Sequence, residues 1–209
     1  FALAGLVRRR AATIAQTSAL AVGMMAILLL TIVRTDLIAG WQRTLPADAP
    51  NRFLINVQDD QKDAVQHILA DSGFSSVTLS PMVRGRLVAR NGQALSASDY
   101  EDARAQRLID REFNLSYASV LADPNQLMAG RMLDPDAAEV SLETGLAKTL
   151  RLNLGDQLEF DVAGQPVHVK VTSIRRVDWD SMRANFFAIM TPQALKDAPQ
   201  TWMTAFHVD

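Results

Sequence analysis

The chain contains no cysteine, and only three of its 209 residues are histidines. Without cysteine, a disulfide framework, a thiol nucleophile and a cysteine-ligated metal are excluded for this stretch of sequence. His67, His168 and His207 lie far apart, and no His-Glu-x-x-His motif places two histidines on one face of a helix. The sequence therefore predicts no metal site.

Catalytic and nucleotide-binding motifs are also missing. There is no Gly-x-Ser-x-Gly elbow to present a nucleophilic serine. There is also no Gly-x-x-x-x-Gly-Lys-[Ser/Thr] loop to hold the phosphates of ATP. We expect a chain that is not an enzyme, with no catalytic residues and no cofactor of its own.

Charged residues are absent between Ala11 and Val33. At about 1.5 Å per residue this run forms a helix of roughly 35 Å, enough to cross a hydrocarbon core of about 30 Å. We predict a transmembrane helix over residues 11–33. The alternatives are a buried helix of a soluble protein and a signal peptide cleaved near Ala19-Leu20-Ala21, but the most apolar residues follow that tripeptide instead of preceding it.

Three consecutive arginines, Arg8, Arg9 and Arg10, precede the apolar run. Clustered positive charge stays on the cytoplasmic side of a membrane. We therefore predict that residues 1–10 form a basic, amphipathic elbow at the cytoplasmic surface and that residues 34–209 are exported. A frayed extension of the membrane helix is an equal alternative for the elbow.

The exported part is acidic and has the pattern of a mixed α+β domain. From Asp36 onward there are 23 acidic and 17 basic residues, a formal charge of about −6, which argues against binding to nucleic acid. We predict a membrane-exit loop over residues 34–50 and an α+β domain over residues 51–209.

Alternating apolar residues indicate the first strands of this domain. Phe53, Ile55 and Val57 are predicted to share one face of a strand. After a helix, a second strand is predicted over residues 74–79, ending near Pro81, because proline is rare inside a sheet.

Turn residues indicate two hairpins further along the chain. Asn91-Gly92 is the dipeptide best suited to a tight β-turn. A second hairpin is predicted between residues 157–162 and 167–177, whose apolar positions alternate. Arg175-Arg176 is interpreted as the solvated end of that second strand.

Aromatic side chains and methionine cluster in one polar segment near the C-terminal end. Trp179, Met182, Phe186 and Phe187 lie among charged residues, where loop changes to strand. Such side chains suit adaptable contact with a partner or an apolar ligand. Phe186 or Phe187 entering the core, with Trp179 covering its edge, is the simpler alternative.

Several segments together resemble a known family. They are Arg-Thr-Asp-Leu at 34–37, Pro-Asn-Arg-Phe-Leu-Ile-Asn at 50–56, Glu-Val-Ser-Leu-Glu-Thr-Gly at 139–145 and Trp-Asp-Ser-Met at 179–182. With the basic elbow and the membrane helix, they resemble the FtsX/MacB superfamily of ABC transporter permeases, specifically its YbbP-like branch. The resemblance covers nearly the whole chain.

The resemblance implies a fragment of a larger inner-membrane permease, with a MacB-like domain in the bacterial periplasm. It implies that a separate cytosolic ABC ATPase binds ATP and Mg²⁺ and drives motion of the periplasmic domain. It also implies contact with membrane lipid, a hydrophobic, lipid-like or lipoprotein cargo, and a lysophospholipase as a candidate periplasmic partner. The alternative function is a single-pass sensor with an extracytoplasmic ligand-binding domain.

Overall fold

The computed structural model describes residues 10–44, 48–119 and 125–208. The chain divides into two compact units, Phe1–Ala47 and Asp48–Asp209. In the first unit the described residues form one helix, α1 (Arg10–Thr44). Within α1, Ala12–Ile38 is long and apolar enough to cross a membrane, with a mean hydropathy of 2.0.

Helix α1 continues beyond the predicted span, so residues 34–44 are helical instead of belonging to an exit loop. The reason is local: the first proline of the chain is Pro46, and a single glycine at Gly40 weakens a helix without ending it. The hydroxyls of Thr31 and Thr35 donate to the carbonyl oxygens four residues earlier, both at 2.8 Å. These polar groups are therefore satisfied inside the helix, as a membrane span requires.

The second unit is an α+β domain with ten strands and four helices among its described residues. The strands are β1 (Arg52–Val57), β2 (Ser80–Arg90), β3 (Gln93–Ala94), β4 (Phe113–Tyr117), β5 (Gln126–Gly130), β6 (Glu139–Glu143), β7 (Gln157–Val162), β8 (Gln165–Arg176), β9 (Ala188–Met190) and β10 (Gln200–Phe206). The helices are α2 (Lys62–Asp71), α3 (Ala103–Asp110), α4 (Thr144–Thr149) and α5 (Pro192–Leu195).

Six of the strands pair in a closed circuit. The order is β2, β4, β9, β6, β8, β7 and back to β2. The pairs β4–β9 and β6–β8 are parallel, and the other four are antiparallel. Closing these six strands into a circuit gives the sheet an interior that side chains must fill, while β1, β3, β5 and β10 pair outside the circuit.

The interior of this circuit is the main hydrophobic core. Val83, Leu115, Val140, Leu142 and Val171 are completely buried in it. Helices α3 and α4 contribute further buried side chains to the same cluster, namely Ala105, Leu108, Ile109, Leu146 and Ala147. Burial of this apolar surface is the main favourable term in folding of the domain.

Both predicted hairpins are present. Asn91 and Gly92 have φ values of 52° and 77° at the turn between β2 and β3, the conformation that this dipeptide favours. Strands β7 and β8 pair with Leu158 opposite Val169 and Phe160 opposite Val167. The alternation therefore identified the correct inward-facing residues of β7 and β8.

Two predictions about the first strands are wrong. Residues 74–79 form turns and irregular structure, and the strand instead begins at Ser80 and includes Pro81. In β1, Ile55 is 67% exposed whereas Val57 is buried, so the two do not share a face. Asn56 adopts φ 58° and the pairing with β10 shifts register there, which reverses the alternation.

Candidate functional site

Helix α1 presents apolar side chains outward along its membrane-spanning stretch. Ile14, Ile27, Leu30 and Ile32 are all more than half exposed, and no residue of its most apolar window is buried. Side chains of this kind are suited to contact with lipid acyl chains. Arg10 is the first residue of α1, while Arg8 and Arg9 lie outside the described residues, so the orientation across a membrane stays a prediction.

The aromatic segment is organised by a short 3-10 turn, Trp179–Ser181. Asp178 precedes the turn, and its carboxylate accepts a hydrogen bond from the Asp180 N–H at 3.1 Å. The Ser181 hydroxyl donates to the Asp178 carbonyl at 2.6 Å. Met182 then reverses the chain with φ 58°. Local hydrogen bonds therefore fix the position of Trp179 and Met182.

Phe186 lies in the interior of the domain. It is 5% exposed and packs with Leu133 and Ile189 in a cluster separate from the main core. Its carbonyl oxygen accepts a hydrogen bond from Nη2 of Arg175. Phe186 can therefore hold the segment in place but does not offer a contact surface.

Arg175 is completely buried, contrary to the solvated position predicted for it. It lies opposite Glu143 in the β6–β8 register, whereas Arg176 is exposed. Strand β5, which the sequence did not reveal, pairs with this end of β8 and helps to cover it. Burial lowers the pKa of Arg175 to about 10, and the charge of Glu143 partly opposes this. The guanidinium therefore stays protonated at neutral pH.

Three of the four predicted contact residues reach the surface. Trp179 is 44% exposed and Met182 is 36% exposed. The Phe187 ring is half-buried and packs against the Trp179 ring, with their centroids 4.9 Å apart. We therefore narrow the candidate contact surface to Trp179, Met182 and Phe187; its partner or cargo stays a prediction.

Phe187 also lines a groove of about 540 Å³ beside α3. Arg104, Arg107 and Arg111 line the same groove, together with apolar side chains of α3 and α4. No local pattern in the sequence connects these arginines with Phe187, because α3 and Phe187 are about 80 residues apart in the chain. The three-residue spacing of Arg104 and Arg107 was the available signal, but it does not reveal which strands lie beside the helix.

A buried carboxylate forms a second polar centre. Glu139 is 4% exposed and accepts hydrogen bonds from Arg131, from the Asp134 N–H at 2.9 Å and from the Thr172 hydroxyl at 3.1 Å. Burial alone would raise the pKa of Glu139, but the hydrogen bonds outweigh it and lower this pKa. The contacts join the segment before β6 to β6 and β8, which is a structural role.

The histidines do not converge. His67 is exposed on α2, His168 lies 3.8 Å from Glu159 on the outer side of the β7–β8 hairpin, and Nδ1 of His207 lies 2.7 Å from the Ala49 carbonyl. Within residues 10–44, 48–119 and 125–208, no group of three or more His, Asp or Glu side chains is arranged to hold a metal ion.

No family model matches the chain. The chain is 38% identical over 205 residues to an uncharacterized ABC transporter permease, YbbP, of Escherichia coli (strain K12). The match covers 98% of this chain but only 25% of that protein, so the chain spans about a quarter of the length of its relative. The resemblance inferred from the sequence is confirmed: over nearly its whole length, this chain is similar to a segment of a YbbP-like ABC transporter permease.

Proposed function

We propose that this chain is part of the permease subunit of an ABC transporter. A separate cytosolic ATPase would supply the energy, and hydrolysis would drive motion of the domain formed by residues 48–208. The observation that carries the proposal is the 38% identity to a permease across 98% of the chain.

The two units fit the two tasks that such a subunit requires. Helix α1 exposes apolar side chains over a length sufficient to span a membrane and to contact lipid. The α+β domain has a closed, well-packed core, so it can move as one body when force reaches it.

We place the domain in the periplasm of a bacterium and α1 in the inner membrane. The support is the arginine cluster Arg8, Arg9 and Arg10 ahead of the helix, which favours a cytoplasmic N-terminal side. The relative is a bacterial permease, which is consistent with that location.

We further propose that the cargo is hydrophobic and lipid-like, or a lipoprotein. The surface formed by Trp179, Met182 and Phe187 would contact the cargo or a periplasmic partner such as a lysophospholipase. Exposed aromatic and methionine side chains favour adaptable apolar contact, which supports this assignment.

The test is purification of the intact natural protein in mild detergent, with identification of the proteins that accompany it. We expect a P-loop ATPase to co-purify and ATP turnover to be inhibited by vanadate. A protein that purifies alone, without nucleotide turnover and with a single membrane span, would contradict the proposal and favour the single-pass sensor.

The same preparation tests the contact surface. Replacing Trp179 and Met182 together by alanine is expected to weaken retention of the lysophospholipase while leaving the ATPase bound. Leu154→Ala is the matched control, because Leu154 is similarly exposed, at 43%, on a different turn. Equal retention in both variants would remove the contact role from Trp179 and Met182.

A further inference from the structure

The groove beside α3 combines positive charge with an apolar lining. Three arginines contribute the charge, and the apolar part comes from Leu108, Leu146 and Phe187. Its volume of about 540 Å³ lies within the range of roughly 300–1,000 Å³ that is typical of small-ligand sites.

Two of the arginines share one side of α3, and the third follows the helix. Arg104 and Arg107 are three residues apart, which brings their side chains to the same side. Arg111 is the first residue after α3, has an extended backbone, and lines the same groove. Among the described residues that line the groove, Asp110 is the one with an acidic side chain. Asp102, by contrast, is occupied in capping α3, where its carboxylate accepts from the Arg104 N–H at 2.9 Å.

The guanidinium groups are available to a ligand. In the described part of the chain, none of the three makes a side-chain hydrogen bond or an ion pair, and all three residues are exposed. The segment from Glu101 to Glu112 contains four acidic residues and three arginines, so its net charge is slightly negative. That net charge does not reveal that all three arginines line the groove, whereas only one of the acidic residues is named among the lining residues.

One arginine is already positioned by aromatic rings. The Arg111 guanidinium carbon lies 5.5 Å from the centre of the Phe113 ring and 5.7 Å from that of Phe187. Cation–π contact holds the plane of a guanidinium while leaving its N–H edges free to donate. Arg111 therefore loses less conformational entropy when it binds an anion.

The lining selects the class of ligand. Arginine forks match the geometry of carboxylate and phosphate groups, and the apolar side chains favour a hydrocarbon chain. A peptide backbone would also bring N–H groups that need acceptors, and among the described lining residues only Asp110 has an acceptor side chain. An acyl chain has no such requirement.

We propose that this groove binds a single-chain lipid anion, with its carboxylate or phosphate head group at Arg104, Arg107 and Arg111 and its chain against Leu108, Leu146 and Phe187. The proposed binding follows from the residues that line the groove, whereas a role of the groove as a cargo site rests on the proposed transport function.

The experiment is a calorimetric titration of the chain, held in nanodiscs of phosphatidylcholine, with decanoate below its micelle concentration. Empty nanodiscs correct for partitioning of decanoate into lipid. We expect saturable binding that weakens by roughly 10- to 100-fold when Arg104→Gln and Arg107→Gln are combined, because charge-assisted hydrogen bonds are lost.

The matched control removes the same charge elsewhere. Arg84 and Arg86 are exposed on β2 and do not line the groove. Arg84→Gln combined with Arg86→Gln should leave the decanoate affinity unchanged. If the groove double variant and the β2 double variant bind decanoate with equal affinity, and both unfold at the wild-type temperature, the proposal is overturned.

Comparison ligands separate the contributions of head group and chain. Butyrate offers the carboxylate with almost no chain, and decyltrimethylammonium offers the chain with the opposite charge; both should bind at least tenfold more weakly than decanoate. Similar affinity for decyltrimethylammonium would contradict the role of the arginines. Decyl phosphate tested beside decanoate identifies the preferred head group.

The outcome is independent of the transport test. If the wild-type preparation turns over ATP but does not bind decanoate, the proposed lipid site is refuted and the transport function is not. Decanoate binding in a protein that recruits no ATPase would keep the groove and refute the transport function.

Discussion

The two faces of the parallel pair β6–β8 are both buried, yet they consist of different kinds of residue. One face carries Val140, Leu142 and Val171 and lies in the main core. The other carries Ser141, Ser173 and Arg175, and next to it Ile189 belongs to the cluster with Leu133 and Phe186.

The two faces differ in whether their buried side chains find the contacts that they need. The apolar face needs only close packing, and its side chains are completely buried. On the polar face, the hydroxyls of Ser141 and Ser173 and two nitrogens of Arg175 have no partner among the described residues. Unpaired buried polar groups cost free energy, so we expect the apolar face to carry the stability of this pair.

The largest expected effect is on the apolar face. Leu142→Ala should lower the free energy of unfolding by roughly 2–5 kcal/mol, because it removes buried methyl groups and leaves a cavity. Thermal unfolding followed by circular dichroism should show a decrease of several degrees in Tm. A loss below about 1 kcal/mol would contradict the view that this face dominates.

An intermediate effect is expected at Glu139, a buried polar group that accepts several hydrogen bonds. Glu139→Gln should cost about 1–3 kcal/mol at pH 7, because the amide cannot accept all the hydrogen bonds that Glu139 receives from Arg131, Asp134 and Thr172. Glu112→Gln, at an exposed position, is the control and should change little.

The pH dependence sharpens this prediction. The folded-state pKa of Glu139 lies below its ordinary value, so its stabilising contribution is present above about pH 4.3, the usual glutamate pKa, and is lost as pH falls through the folded value. The difference in Tm between wild type and Glu139→Gln should therefore shrink on acidification below pH 4. A difference that stays constant from pH 7 to pH 3 would exclude ionised Glu139 as its source.

The smallest effect is expected at the unpaired hydroxyls. Ser173→Ala should change the free energy of unfolding by less than about 0.5 kcal/mol or stabilise slightly, since it removes a buried group without a partner. Ser116 is the matched control: it is also buried, but its hydroxyl donates to the Pro81 carbonyl at 2.7 Å. Ser116→Ala should cost about 0.5–1.5 kcal/mol. Destabilisation by Ser173→Ala equal to that of Ser116→Ala would show that Ser173 is satisfied.

Local patterns determined much of the architecture. The charge-free run from Ala11 to Val33 identified the apolar stretch of α1, although the helix continues to Thr44. Strict alternation and the pair Ala163-Gly164, both with positive φ, determined the β7–β8 hairpin and its inward face. These signals come from residues close in sequence, and their structural consequence is equally local.

Tertiary structure alone decided which distant segments meet. Leu115 pairs in parallel with Ala188, 73 positions later, and no periodicity within either strand specifies that partner. The burial of Arg175 and the approach of Phe187 to the arginines of α3 both follow from such long-range pairing. A local pattern states that a side chain is apolar or charged, whereas its neighbours depend on which elements jointly bury the core.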